Sequence, residues 1–199
     1  KFNTTPARNM PMRTEGHDIG YSIKADIPVS PSDLIRVGNE LHRQTLDDWW
    51  PATMMMVGMM GPNTYVTIND GERTRLGTFL EWEKKWTRAW TTLLGVRNDV
   101  VWMDTGNVQG YNNSPMSVYK ADADAFNARD HARTDINFDA TALVRFEPDL
   151  NSAYEVGYAR KTRSPNFYER YAWSRKYDGT TMGTAQMAMN MIGWFGDGN

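Results

Sequence analysis

Apolar and polar residues alternate along six stretches of this chain. In the first, Thr14 to Ile27, one face carries Ile19, Tyr21, Ile23, Ala25 and Ile27, and the other Asp18, Gly20, Ser22, Lys24 and Asp26. Asp33 to Leu46 sets Ile35, Val37 and Leu41 against Arg36, Glu40 and His42. Thr74 to Trp86 aligns Leu76, Thr78, Leu80 and Trp82, and Trp90 to Asp104 is the fourth stretch. Ala132 to Phe146 opposes Ile136, Phe138, Ala140, Ala142, Val144 and Phe146 to Asn137, Asp139, Thr141 and Arg145; Ser152 to Arg163 is the sixth. A period of two is the signature of a strand, whose side chains point alternately to opposite faces. The connections alternate too. Pro28–Ser32, Trp86–Trp90 and Glu147–Asn151 are short, whereas Asp47–Arg73 and Thr105–His131 are long. Strands of this length, with short turns at one end and long loops at the other, predict an all-β fold. The expected form is an antiparallel transmembrane β-barrel segment of about six strands with long extracellular loops, apolar toward lipid and polar toward the lumen.

Placement of the aromatic residues sharpens this expectation. Trp82, Trp86 and Trp90 gather at one short turn, where an inner girdle would lie, and Trp49, Trp50, Tyr65 and Trp102 stand at the opposite ends, where an outer girdle would lie. Indole and phenol rings favour the membrane–water boundary, since the ring is apolar and its polar atom stays wet. A soluble β-sandwich has no reason to collect aromatics at strand ends, and its strands average about 5–6 residues.

Composition excludes more than it identifies. No run of 18 apolar residues is present, so no transmembrane helix is expected; a barrel strand needs only about 9–11 residues, half of them polar. A net charge of -2 provides no field for nucleic acid. With no cysteine there is no disulfide framework and no thiolate metal site. The three histidines, His17, His42 and His131, lie on separate elements, and each reads as a polar strand or loop residue rather than a ligand. Asp47–Asp48 and Asp122–Asp124 read as solvated loop carboxylates. No Ser/His/Asp group or phosphate-cradling loop stands out, so no catalytic residue, cofactor or enzymatic activity is expected. Ala121–Arg133 and Thr181–Ile192 could each form a helical turn within a loop.

The sharpest local string runs from Gly157 to Tyr171, GYARKTRSPNFYERY. Here the chain resembles the TonB-dependent outer-membrane receptors. In that family an outward strand commonly ends in an aromatic and a basic residue, then a small-Pro-x-x-(Tyr/Phe)-Glu run opening an extracellular loop. Arg163, Ser164, Pro165, Tyr168 and Glu169 match that run. The resemblance spans residues 1–199 as a partial barrel domain of an internal fragment, with plug domain and barrel closure outside it. It implies a Gram-negative outer-membrane location, a barrel of about 22 strands, contact with outer-membrane lipid, and energy from the TonB complex through the plug.

Methionine is the second unusual feature. Thirteen are present, with Met54, Met55, Met56, Met59 and Met60 in one long loop and Met182, Met187, Met189 and Met191 near the chain's end. Met10 and Met12 form a further pair. All lie on the side expected to be extracellular. Thioether sulfur is a soft ligand suited to Cu(I), and the clustering is similar to that of the copper-importing branch of the same receptors. Copper is therefore the favoured cargo, with Met54, Met55, Met56, Met59, Met60, Met187, Met189 and Met191 as candidate ligands. Flexible apolar packing explains methionine-rich loops equally well. A ferric siderophore is the alternative cargo, for which Trp49, Trp50, Tyr65, Tyr111, Tyr168 and Tyr171 could line a mouth. A passive porin, an outer-membrane enzyme and a soluble carbohydrate-binding sandwich are the remaining readings.

Overall fold

A computed structural model describes residues 12–52 and 63–174 of the chain. These residues form one antiparallel sheet of six strands in sequence order: β1 (Arg13–Ser30), β2 (Asp33–Trp50), β3 (Tyr65–Lys85), β4 (Trp90–Asp104), β5 (Arg133–Asp149) and β6 (Ser152–Arg160). Two helices accompany them, α1 (Val118–Asn127) between β4 and β5, and α2 (Phe167–Tyr171) after β6. Every neighbour is a hairpin partner, so the sheet is a simple meander, not closed into a barrel among the described residues. No described helix is long and apolar enough to cross a membrane, which says nothing of crossing by strands.

Cross-strand pairing puts the alternating residues where the pattern requires. Ile27, Ile35, Trp82, Leu94, Ala142 and Tyr158 run across the sheet as one row; Ala25, Val37, Leu80, Val96 and Ala140 form the next. Directly paired residues share a face, so these rows make one continuous apolar surface. Little covers it: Ile19 is 73% exposed, Ile23 65%, Ile136 74% and Val156 78%. The opposite face carries the rows Arg36–Glu81–Gly95–Thr141 and His42–Arg75–Val101–Asp135. A soluble sheet buries its apolar face against another layer. In this sheet the apolar face is open and the main buried cluster lies elsewhere.

That cluster sits at the long-loop end of the polar face. Val101 and Met103, on the polar side of β4, pack with Tyr65, Ile68, Val108, Tyr111, Ala123, Phe126, Phe167, Tyr171 and Trp173. The 105–131 loop and the 161–174 segment thus fold inward as a cap over that face. A change of phase in β3 makes room. Between Leu46–Gly71 and Trp49–Val66 the pairing slips twice, each time with an extra residue on β3. At the first slip Asp70 has φ 48°, a left-handed backbone, and its N–H donates to Asp47 Oδ1 at 2.7 Å. Such bulges re-aim the residues beyond them; Tyr65 and Ile68 are turned into the cap.

Five expectations need correction. The third strand begins at Tyr65, not Thr74, and the sixth ends at Arg160, not Arg163. The loop helix spans Val118–Asn127, while residues 128–133 leave it to enter β5. Of the expected outer-girdle aromatics, Trp102 stands exposed on the apolar face and Trp49 shares that face by register, but Trp50 and Tyr65 belong to the cap. Asp48 is no solvated loop residue: it is fully buried in β2 and accepts from the Thr14 hydroxyl at 2.9 Å.

Candidate functional site: a banded apolar face and a capped polar face

The apolar face is bounded at both ends. At the tight-turn end Trp90 stacks on Phe146 with centroids 4.3 Å apart, Phe146 stacks on Tyr154 at 6.4 Å, and Trp82 meets Trp86 edge-on at 6.3 Å. Lys84 belongs to this rim, bound to Asp33 at 2.6 Å and lying over the Trp86 ring. Trp82 Nε1–H donates to Asp33 at 3.2 Å and Trp86 Nε1–H to Thr92 at 3.0 Å, so both indoles hold a polar partner while their rings face outward. At the other end come Trp102 and the exposed Arg43–Glu72 pair at 3.0 Å. Arg160 is the last residue of β6. Charges on this face thus gather at its two margins, apart from Arg160, which pairs with Ala140 and ends the Val96 row at the β6 edge.

One polar row crosses the band between these margins: Asn39, Thr78 and Asn98. Its groups are bonded within the sheet. Asn39 accepts from the Tyr21 hydroxyl at 2.7 Å and donates to Thr78 Oγ1 at 2.9 Å, and Asn98 donates to the Asn137 carbonyl at 3.0 Å. Amides tied down in this way are tolerable in an apolar medium, where an unbonded one costs several kcal/mol.

The polar face is organised by arginines. Arg36 reaches Glu81 at 2.5 Å and Glu83 at 2.7 Å. Arg97 makes two 2.8 Å contacts to Asp99 and one to Glu40, which also lies 3.6 Å from Arg75. His42 pairs with Asp18 at 2.9 Å, and Arg170 of α2 pairs with Asp135. Glycines give these flat side chains their bed. A Cβ on Gly77 would stand 2.4 Å from Arg97 Nη2, and one on Gly38 2.2 Å from the Phe79 ring. The face is therefore a cross-strand ionic network, partly wet, roofed at one end by the cap.

The quoted motif is the cap's hinge to the sheet. Arg163 grips Glu169 through two bonds of 2.7 and 2.8 Å. Glu169 Oε2 also accepts the Asn166 N–H at 2.8 Å, while Asn166 Oδ1 accepts the Glu169 N–H at 2.8 Å; this reciprocal capping box starts α2. The Arg163 guanidinium, together with the Asn166 N–H, holds the Glu169 carboxyl down at about 2. Ser164 is buried and accepts from Asn137 Nδ2 at 2.8 Å. Burial, and the carboxylate of Asp48 beside it, push the Tyr168 phenol well above its usual range. Pro165 lies between Ser164 and the cap residue of α2, half-buried. Arg163, Ser164, Tyr168 and Glu169 thus act together as a structural tie.

The candidate methionine ligands are not brought into view: Met54, Met55, Met56, Met59, Met60, Met187, Met189 and Met191 lie outside the described residues. Among the described residues no three His, Cys, Asp or Glu side chains gather as a metal site would need. Of the aromatics considered for a siderophore, Tyr65, Tyr111 and Tyr171 are consumed by the cap core; burial raises the phenols of Tyr111 and Tyr171 to about 12 each. Missed from sequence were the buried Asp48, the capping box, and His131, whose ring lies inside the cap. The Asn-x-x-Glu spacing of residues 166–169 was the available signal for the second of these.

Comparison with family models, curated proteins and solved structures found no match for this chain.

Proposed function

We propose that the chain is a wall segment of an outer-membrane β-barrel transport protein of the TonB-dependent receptor type, taking up a scarce nutrient, with copper as the favoured cargo. The observation that carries this reading is the open apolar face, margined by aromatic rings, opposite a charged face. Lipid solvates the first, and a lumen or plug the second. Strand length supports it. Trp90 and Trp102 bound β4, and their separation of about a dozen residues gives ~40 Å of strand. At a tilt of about 40° this spans ~30 Å of bilayer normal, close to the hydrocarbon thickness. The 105–131 cap would lie on the extracellular side. TonB coupling would act through a plug domain.

Depth-dependent quenching tests the carrying observation. In vesicles containing brominated lipid, single-Trp versions retaining Trp90 or Trp102 should be strongly quenched, and one retaining the buried Trp173 should not. A chain that stays monomeric in detergent-free buffer with Trp90 unquenched would overturn the proposal. Copper is tested separately, by Cu(I) retention before and after changing Met54–Met56 or Met187, Met189 and Met191 to Leu.

A passive channel has an observation of its own. The cap turns in over a face carrying Arg75, Arg97, Glu40 and Asp99, as a constriction loop would. Steady ion conductance in planar bilayers, without any energy source, would favour that reading over a gated receptor.

A further inference from the structure

His131 closes the cap in a way that depends on its proton. Its Nδ1 lies 2.9 Å from the Thr105 carbonyl oxygen and its Nε2 2.8 Å from the Phe126 carbonyl oxygen. Both partners are acceptors only. A neutral imidazole carries one N–H, so one of its nitrogens would face a carbonyl lone pair to lone pair. An imidazolium donates to both. The Phe126 carbonyl belongs to the last turn of α1, where a helix presents its negative end and favours a cation. The ring stacks on Phe126 with centroids 4.2 Å apart, and the Tyr171 hydroxyl donates to the His131 carbonyl at 3.0 Å. One residue therefore joins the end of β4, the end of α1 and the side of α2.

We propose that His131 is a proton-operated latch: as imidazolium it fastens the 105–131 cap to the strand ends, and loss of its proton to solvent releases that cap. The charged and titratable groups on the elements that meet it are Asp104 beside Thr105, Arg129 and Asp130 in the loop, Arg133 and Asp135 at the start of β5, and Arg170 and Tyr171 on α2, of which Tyr171 touches the ring and Asp104, Arg133, Asp135 and Arg170 act on Tyr171. Arg170 is occupied by Asp135. The sign follows from which form makes both bonds. Added stability of the cap belongs to the protonated ring and is lost as rising pH removes that proton. Asn127, whose side chain clasps Val108 by bonds of 2.8 and 2.9 Å and does not titrate, keeps the loop's own shape in either state. The latch governs docking of the loop and stands whatever solvent the sheet faces.

The test uses the full chain, folded in detergent and labelled with ¹⁵N at histidine, followed by imidazole ¹⁵N shifts and amide hydrogen exchange from pH 5.5 to 8. The His131 signals are assigned by their loss in His131→Asn, a variant that keeps the donor to Thr105 alone. With exchange corrected for its intrinsic pH dependence, amides of 105–131 should open about tenfold more readily at pH 8 than at pH 5.5, as expected for loss of one charge-assisted bond. The β2–β3 amides should stay level, and His131→Asn should be flat at the wild-type pH 8 value. Should the variant fail to fold, the wild-type shifts and exchange decide. A ring that is neutral at pH 5.5 while the cap is protected would overturn the latch. So would a pH-independent cap, or a His131→Asn protein that keeps the wild-type pH dependence.

Discussion

Val96→Arg separates the two solvents the apolar face could meet. Val96 pairs with Leu80 and Ala140, is 44% exposed, and lies about halfway along β4 between Trp90 and Trp102. With a strand rise of ~3.3 Å and a tilt of about 40°, it stands ~15 Å from either margin, which under the proposed barrel reading is the bilayer midplane. An arginine there on a lipid-facing strand costs about 2–4 kcal/mol, a factor of roughly 30 to 1,000 in the folding equilibrium. The same change on a water-facing strand is worth within about 0.5 kcal/mol, because the guanidinium stays hydrated. Urea titration of folding into short-chain phosphatidylcholine vesicles measures the difference. Ser22→Arg is the control: it is exposed on the polar face of β1 and should shift the midpoint little. If Val96→Arg and Ser22→Arg move the midpoint equally, the lipid assignment of that face is refuted.

Other outcomes follow from particular contacts. Gly38→Ala forces the Phe79 ring off its bed and should destabilise by about 1–3 kcal/mol; adding Phe79→Ala should recover most of this in a double-mutant cycle read by denaturant midpoint. Asn166→Ala removes the α2 cap and should cost about 1 kcal/mol locally, seen as faster hydrogen exchange confined to residues 163–174. Because Glu169 titrates lower in the folded chain than its ordinary 4.5, its tie adds stability that is full above that value. That stability falls as pH drops toward about 2, and the acid-induced loosening of residues 163–171 should vanish in Glu169→Gln.

What the sequence made legible depended on whether a local rule was left undisturbed. β4 begins and ends at Trp90 and Asp104 as its alternation indicates, and the faces of β5 sort as Ile136, Phe138 and Val144 against Asn137 and Asp139. In each case most residues obey a period of two and the β4–β5 pairing keeps register throughout. The start of β3 was not legible because two bulges break its period between residues 66 and 71, and Asn69-Asp70-Gly71 carries the composition of a turn. Strand pairing on both sides overrides that local preference. The capping box was legible in Asn166 and Glu169, yet a five-residue helix has no hydrophobic period to attract notice. Asp48 and His131 were beyond reach. Each gains its environment from a segment remote in sequence, Asp48 from Thr14 and His131 from Thr105 and Tyr171, and no spacing rule links them.

The arrangement of charge on the two faces bears on why a cap exists at all. On the polar face Arg36, Arg97 and Arg170 are each committed to carboxylates, with side chains only 15–25% exposed. Partly buried pairs gain little net stability over apolar residues, since desolvation consumes most of the attraction. A sheet stabilised for its own sake would bury its isoleucines instead. This one leaves them exposed and keeps its ions half-covered, so its stability must come from whatever solvates each face. For the apolar face, the proposed function assigns that role to lipid. For the polar face the cap supplies part of the cover: Phe167 packs over Gly71 and Arg170 reaches Asp135, so α2 holds both an apolar and an ionic contact with the sheet. Arg170→Ala should therefore loosen the 163–174 segment more than Arg163→Ala, because it leaves Asp135 half-buried without its cation. Arg163 is itself 72% exposed, and its bond with Glu169 is correspondingly screened. Limited proteolysis of the cap ranks the two variants, and equal cleavage would show that the ionic face does not anchor it.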